Sequence, residues 1–234
     1  MATYKIGYFV GSLASRSINR TLSKALITLA PEDLEFTEIP IKDLPLYSYD
    51  YDADFTPEGR VLKDAIQASD GILFVSPEYN RSIPGALKNA IDWGSRPWGT
   101  NSFARKPTGI IGASPGSIGT AVMQSSMRAV LSFLDAPQLN APEAYVKFNP
   151  AAFGDDGELK DESTQRSYAI TWRSTPRSSS AFWRPTHRAT SATRSRTPRN
   201  CPARGRTRAP RLRTGLPAPP GPPSGSRPIR WSGP

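Results

Sequence analysis

The stretch GILFVSPEYNRSIPGALKNAIDW (71–93) contains a strand, a turn and a helix in direct succession. Its first part, GILFVS (71–76), is apolar without alternation, which is typical of a strand that helices cover on both faces of a sheet. A Pro-rich turn follows, and a helix is predicted over 84–93 with Pro84 near its start. The stretch therefore predicts one strand–helix unit of a parallel α/β sheet.

Similar strand and helix signals alternate on both sides of this unit. Further strands are predicted over 4–11, 34–40, 107–114 and 144–148. Helices are predicted from Ile18 to Leu29 with Ser17 as N-cap, from near Pro57 with Val61, Leu62, Ala65 and Ile66 inward, and over 117–134. Five strands alternating with helices favour an α/β fold, a flavodoxin-like doubly wound five-stranded parallel sheet.

Charge divides the 234 residues into two parts. Residues 1–165 contain all 20 Asp and Glu and 15 of the 30 Lys and Arg, a net charge of −5, whereas 166–234 contain 15 Arg and no acid. Mild acidity argues against nucleic acid as the main partner of the first part. Cys201 and His187 both lie in the second part. The first part therefore excludes a disulfide, a Cys/His metal site and a Ser-His-Asp triad, and we expect a cofactor to supply its reactive centre.

Signals for membrane insertion or export are weak. No apolar run approaches the ~20 residues that span a bilayer. The apolar run 5–11 is too short for a signal-peptide core and lacks a following cleavage site. These features predict a soluble cytoplasmic protein with no membrane partner.

Three segments follow predicted strands at the positions where this fold binds ligands. GSLASRSIN (11–19) offers hydroxyls and a helix N-terminus, which suits a phosphate, although a Ser-rich turn with a capped helix is the alternative. SPEYNRSIPG (76–85) can bond the edge of a planar ring, and SPGSIG (114–119) lets a flat ligand approach the backbone. Each alone also fits an ordinary turn. Together, at the switch point of the sheet, they predict a mononucleotide site.

The runs GSLASRSIN, PEYNRSIPGALKNAIDW and GASPGSIGT resemble the NADPH-dependent FMN reductase family, over roughly residues 3–165. This family includes soluble quinone, chromate and azo-dye reductases. The resemblance implies FMN as cofactor, NAD(P)H as co-substrate, and hydride transfer to FMN and on to a small acceptor such as a quinone, azo dye, chromate or free flavin. It also implies a homodimer or homotetramer.

The resemblance also implies roles for individual residues. Ser12, Ser17 and Asn19 would hold the FMN phosphate, and Arg16 is expected to replace the family's usual Gly-Ser-x-Arg arginine, where this chain has Ala14. The residues implied at the isoalloxazine ring are Pro77, Glu78, Tyr79 and Asn80 on one side and Ser114 and Gly116 on the other. No side chain is assigned a catalytic role and no metal site is predicted.

Other residues of the first part favour structural roles. Four residues of the run 77–93 are expected to shape a helix and a subunit contact and not to touch substrate: Lys88, Asn89, Asp92 and Trp93. Asp50, Asp52 and Asp54 lack the Gly and distal Glu of a calcium loop, so a solvated loop is expected. The aromatic residues Trp93, Trp98 and Phe103 are candidates for a subunit interface, with the intrachain core as the alternative.

Residues 166–234 form the second predicted unit, a disordered Arg/Pro-rich tail after a flavodoxin-like FMN-binding domain at 1–165. The tail has 12 Pro and 15 Arg, too little apolar surface to offset the entropy of ordering. Its composition resembles that of a GC-rich gene translated in a shifted reading frame. Such a shift would leave incomplete the last helix, which is predicted to begin near 156–164. Two further functions stay open: a non-enzymatic FMN electron carrier, and nucleic-acid binding through the tail.

Overall fold

The computed structural model describes residues 3–154, 158–160, 162 and 165. Its elements in chain order are β1 (Tyr4–Val10), α1 (Ile18–Thr28), β2 (Leu34–Glu38), α2 (Pro57–Gln67), β3 (Gly71–Val75), α3 (Gly85–Ser95), β4 (Thr108–Ser114), α4 (Ala121–Phe133) and β5 (Tyr145–Lys147). The strands form one parallel sheet in the order β2-β1-β3-β4-β5. The predicted flavodoxin-like fold is confirmed.

Helices bury the sheet on both faces. On one face, α2, α3 and α4 pack on a cluster that includes the stacked rings of Phe9 and Phe74, with centroids 5.2 Å apart. On the other face, Leu22 and Leu26 of α1 pack on a second cluster with Ile6 and residues of β3 and β4. All five residues of β3 are buried, as its unbroken apolar run predicts. The predicted start of a last helix and the whole tail lie almost entirely outside the described residues.

The helix boundaries differ from the prediction at one important place. The helix predicted over 117–134 begins at Ala121, because Gly119 has a φ of +58° and ends a loop that approaches β5. A Cβ at Gly119 would lie 2.7 Å from the Tyr145 carbonyl carbon, so only glycine fits there. Ile118, before the helix, and Val122, in its first turn, are both exposed. Val61 of α2 is also exposed, not inward as predicted, because Leu62 and Ile66 occupy the inner face one turn apart.

Two of the three candidate interface aromatics belong to the core. Trp93 and Phe103 are fully buried, whereas Trp98 is exposed. The Trp93 indole N–H donates to the Pro45 carbonyl at 2.7 Å. The side-chain amide of Asn89 donates to the same carbonyl at 2.9 Å, so α3 fixes the loop that precedes α2.

Candidate functional site

The carboxyl ends of β1, β3 and β4 bring the three predicted loops to one edge of the sheet. Two neighbouring clefts open there, of 240 Å³ and 420 Å³. The first cleft is lined by Ser12, Ala14, Arg16, Ser17, Ile18, Asn19, Pro77, Glu78, Tyr79, Ala113, Ser114 and Pro115. The second cleft is lined by Glu78, Asn80, Arg81, Ser114, Gly116, Ser117, Ile118 and Gly119. Every residue predicted for the site lines at least one cleft, and Glu78 and Ser114 line both.

The loop after β1 supplies the polar wall of the first cleft. The Ser17 hydroxyl accepts the Arg20 backbone N–H at 3.4 Å and caps α1, as predicted. The Ser12 hydroxyl accepts the Ala14 N–H at 3.3 Å and lies 3.4 Å from the Tyr79 hydroxyl. The Arg20 guanidinium forms a bidentate pair with Glu38 at 2.7 and 2.9 Å, whereas Arg16 lines the cleft itself. Hydroxyls, a guanidinium and a helix N-terminus therefore converge on a place suited to an anion.

Asn19 has a structural role that the sequence pattern did not predict. Its buried side-chain amide donates to the Ala113 carbonyl at 2.9 Å, and its carbonyl oxygen accepts the Ala113 N–H at 2.8 Å. These two bonds tie α1 to the end of β4 across the first cleft. The contact of Asn19 with a phosphate stays a prediction, and the second N–H of its amide is the atom that would make it.

The loop after β3 contains a tight two-residue turn at Asn80 and Arg81. Tyr79 and Ser82 exchange backbone hydrogen bonds of 3.2 and 2.9 Å across it. The φ angles of Asn80 and Arg81 are +50° and +61°, the left-handed values that a type I′ turn requires at both central positions. The turn leaves the Tyr79 ring half exposed at the rim of the first cleft.

Glu78 joins the second loop to the third. Its Oε2 accepts the backbone N–H groups of Val122 and Met123, both at 3.0 Å, at the start of α4. Its Oε1 accepts a hydrogen bond from the Arg81 guanidinium at 3.1 Å. The side chain is only 8% exposed. The Glu78 carboxylate is therefore committed to α4, and a contact with a ring would come from its backbone.

None of the described ionisable groups with a clear pKa shift lines either cleft. Burial and a hydrogen bond to Asp52 raise the pKa of Tyr47 to about 12. Burial lowers the pKa of Lys63 and of Lys106, whose ammonium groups contact backbone carbonyls. Within the described residues, no group of three or more His, Cys, Asp or Glu could hold a metal ion, and no helix is long and apolar enough to cross a membrane.

The loops 76–85 and 114–119 were predicted to contact a flat ligand, but four residues of these loops that line the second cleft were not named individually as site residues: Arg81, Ser117, Ile118 and Gly119. A signal for Arg81 was present in Asn80-Arg81, since Asn often opens a type I′ turn, but glycine is the usual second residue. The other three lie in the predicted ligand loop 114–119, but the helix pattern also assigned 117–119 to α4, which begins only at Ala121.

Comparison with known proteins places the matching region on this same part of the chain. The family model described as NADPH-dependent FMN reductase matches residues 4–150. A 2-hydroxy-1,4-benzoquinone reductase from a Burkholderia species is 48% identical over 162 residues, covering 69% of this chain and 88% of that protein. A quinone reductase of Pseudomonas putida is 45% identical over 161 residues, covering 68% and 87%. Among solved structures, FerB of Paracoccus denitrificans, a flavoenzyme NAD(P)H:(acceptor) oxidoreductase, matches with a TM-score of 0.71 and 40% identity, over 77% of this chain and 96% of that one.

Proposed function

Because this chain belongs to the NADPH-dependent FMN reductase family, we propose that its acceptor is a quinone, which it reduces at the two clefts. The chain is a flavin-dependent oxidoreductase with FMN as cofactor and NAD(P)H as co-substrate. The acceptor proposal rests on the 48% identity to a 2-hydroxy-1,4-benzoquinone reductase, 88% of which the match covers. In the proposed reaction NAD(P)H, a proton and a quinone give NAD(P)+ and a hydroquinone.

The residues of the first cleft fit FMN. Ser12, Arg16 and Ser17 would hold its phosphate together with the N-terminus of α1, because hydroxyls, a guanidinium and helix N–H groups are the donors that a phosphate needs. The backbone of 77–80 and the Tyr79 ring would position the isoalloxazine. FMN, when bound, accepts a hydride from NAD(P)H and delivers electrons to the acceptor.

The second cleft suits a flat acceptor. Its lining is dominated by small residues, including Ser114, Gly116 and Gly119, so a planar ring can approach the backbone closely. Among the described residues that line it, Glu78 has the only carboxylate, which is held by the N–H groups of α4 and is not placed to transfer a proton. In an open cleft, water then supplies the protons of the hydroquinone product.

Two other functions have less support. An FMN carrier that only passes electrons between proteins would need a partner reductase, whereas the relatives named above are reductases. Nucleic-acid binding would depend on residues 166–234, which lie outside the described residues.

Two measurements on the purified protein test this proposal. Its absorbance spectrum should show bound flavin, and NADPH should be consumed steadily after 1,4-benzoquinone is added, with no second protein present. Initial rates should give parallel double-reciprocal lines, because both substrates use the same open site in turn. Bound flavin without NADPH consumption would favour the carrier, and intersecting lines would contradict the shared site.

A further inference from the structure

Arg81 places a positive charge at the mouth of the second cleft. Among the described residues that line this cleft, it is the only cationic one. Its side chain is 67% exposed, and one of its guanidinium N–H groups bonds Glu78 Oε1 at 3.1 Å. A guanidinium carries five N–H donors, so this bond leaves the group able to bind an anion as well.

The pairing with Glu78 does not cancel the charge of Arg81. The Glu78 carboxylate also accepts two backbone N–H groups at the positive end of α4. The α4 N-terminus therefore compensates part of the Glu78 charge, and an excess of positive potential stays on the Arg81 side.

The backbone at Arg81 presents the side chain from a tight turn beside the second cleft. Its φ of +61° lies in the left-handed region, where the second position of a type I′ turn strongly favours glycine. An arginine adopts this conformation at a cost in conformational energy.

We propose that Arg81 determines acceptor specificity by binding the ionised hydroxyl group of a 2-hydroxy-1,4-quinone in the second cleft. This inference rests on the proposed quinone reductase function. The hydroxyl of such a quinone is a vinylogous carboxylic acid and is ionised at neutral pH. Its oxygen and the adjacent carbonyl oxygen form a pair that matches the planar fork of a guanidinium.

The reaction balances with this anion as substrate. The 2-hydroxy-1,4-benzoquinone anion takes a hydride and two protons and gives benzene-1,2,4-triol, while NAD(P)H becomes NAD(P)+. The triol has three hydroxyl hydrogens that the anion lacks. Two of them are the two protons, and the third is the hydrogen of the hydride. Arg81 takes no part in these transfers and acts by positioning the anion.

The test measures kcat/KM of the FMN-loaded enzyme for 2-hydroxy-1,4-benzoquinone and for neutral 1,4-benzoquinone, in the wild type and in Arg81→Gln. We expect the selectivity ratio of the anion to the neutral quinone to fall about tenfold in Arg81→Gln, the loss of one charged hydrogen-bonded contact. The ratio of the wild type should also fall as salt is raised, since screening weakens the attraction. The selectivity ratio of Arg81→Lys should lie between those of the wild type and Arg81→Gln, because lysine keeps the positive charge but lacks the planar fork of N–H donors.

Arg105→Gln is the matched control. Arg105 is also 67% exposed, pairs with Asp135, and has a φ of +61°. It precedes β4, at the opposite edge of the sheet from the clefts, so its replacement should leave the selectivity ratio unchanged.

The other outcomes overturn the inference. An equal loss for both quinones in Arg81→Gln would show a general effect on the loop. A raised KM for NADPH but not for NADH, with unchanged selectivity, would assign the guanidinium to the 2′-phosphate of NADPH. If the wild type reduces neither quinone, the proposed function itself fails.

Discussion

Asn19 is the residue whose loss should affect both stability and cofactor binding. In Asn19→Ala, the buried N–H and C=O of Ala113 lose their partners. We expect the free energy of unfolding, measured in urea, to fall by about 2–3 kcal/mol, which is in the range for unsatisfied buried polar groups. FMN affinity should also fall, because α1 and the end of β4 would no longer be tied together.

Ser23→Ala is the control for Asn19. Ser23 is equally buried on the same helix, but its hydroxyl bonds the Arg20 carbonyl within α1. Its replacement should cost less than about 1 kcal/mol and leave FMN affinity unchanged. Equal effects of the two substitutions would show that the bond between α1 and β4 has no special importance.

The rim residues Tyr79 and Asn80 should affect binding without affecting the fold. The double variant Tyr79→Ala/Asn80→Gly removes the ring and the amide, while glycine keeps the left-handed turn. We expect FMN affinity to fall about tenfold, through loss of roughly 1.4 kcal/mol of contact, with an unchanged circular dichroism spectrum. Tyr79→Phe should bind nearly as well as the wild type, since the Ser12 contact is long at 3.4 Å. Unchanged affinity in the double variant would remove both residues from the site.

At the scale of elements, the hydrogen bonds between Glu78 and α4 should contribute more to the free energy of unfolding than an ordinary surface contact does. Glu78→Ala leaves the Val122 and Met123 N–H groups without this acceptor. We expect a loss of about 1–2 kcal/mol in thermal or urea unfolding, comparable to the loss of a helix cap. Glu78→Gln should lose less, because the amide oxygen can still accept.

Glu58→Ala provides the comparison for this helix. Glu58 lies in the first turn of α2 and is exposed, so it acts on that helix mainly through its charge. Its loss should cost no more than about 0.5 kcal/mol. If Glu78→Ala costs no more than this, the carboxylate does not hold α4 and the second loop together.

Most helices and strands could be predicted from local sequence patterns, but the start of α4 could not. Local signals were sufficient to predict β3, β4 and the Ser17 cap of α1, because each depends on neighbours in the chain. The strand order was inferred from the alternation of five strands with helices, which favours the flavodoxin-like arrangement. The start of α4 was wrong because the apolar spacing continues through Ile118. The break at Gly119 is caused by the approach of β5, which the local pattern does not contain.

The same distinction holds for the site. The sequence predicted which loops meet, but not how their side chains are bonded. Glu78 reaches α4 across 44 and 45 residues, and Asn19 reaches Ala113 across 94. Such contacts exist only after the sheet has formed, so residue type and spacing within one loop could not predict them.

At the scale of the whole molecule, the exposed rings of Trp98 and Phe133 are the best candidates for a subunit contact. They are 76% and 72% exposed, and their centroids lie 6.4 Å apart. Exposed paired aromatics are typical of interfaces. We expect the native chain to scatter light as an oligomer at micromolar concentration, and Trp98→Ser/Phe133→Ser to shift it toward the monomer.

Leu46→Ser serves as the control for this surface. Leu46 is also strongly exposed but lies in the loop before α2. Its replacement should not change the oligomeric state. A wild-type monomer would contradict the prediction, and an oligomer that survives the double substitution would move the interface elsewhere.

The composition of the cleft walls affects how well the enzyme resists chemical damage by its own substrate. Quinones are electrophiles that add to thiolates and amines, and enzymes that collect them risk alkylation by their own substrate. None of the described residues that line the two clefts is a cysteine, a histidine or a lysine. The one cysteine of the chain, Cys201, lies beyond residue 165. The described walls therefore offer a bound quinone hydroxyls, amides, guanidinium groups and the Glu78 carboxylate that α4 holds, and repeated turnover should leave these residues unmodified.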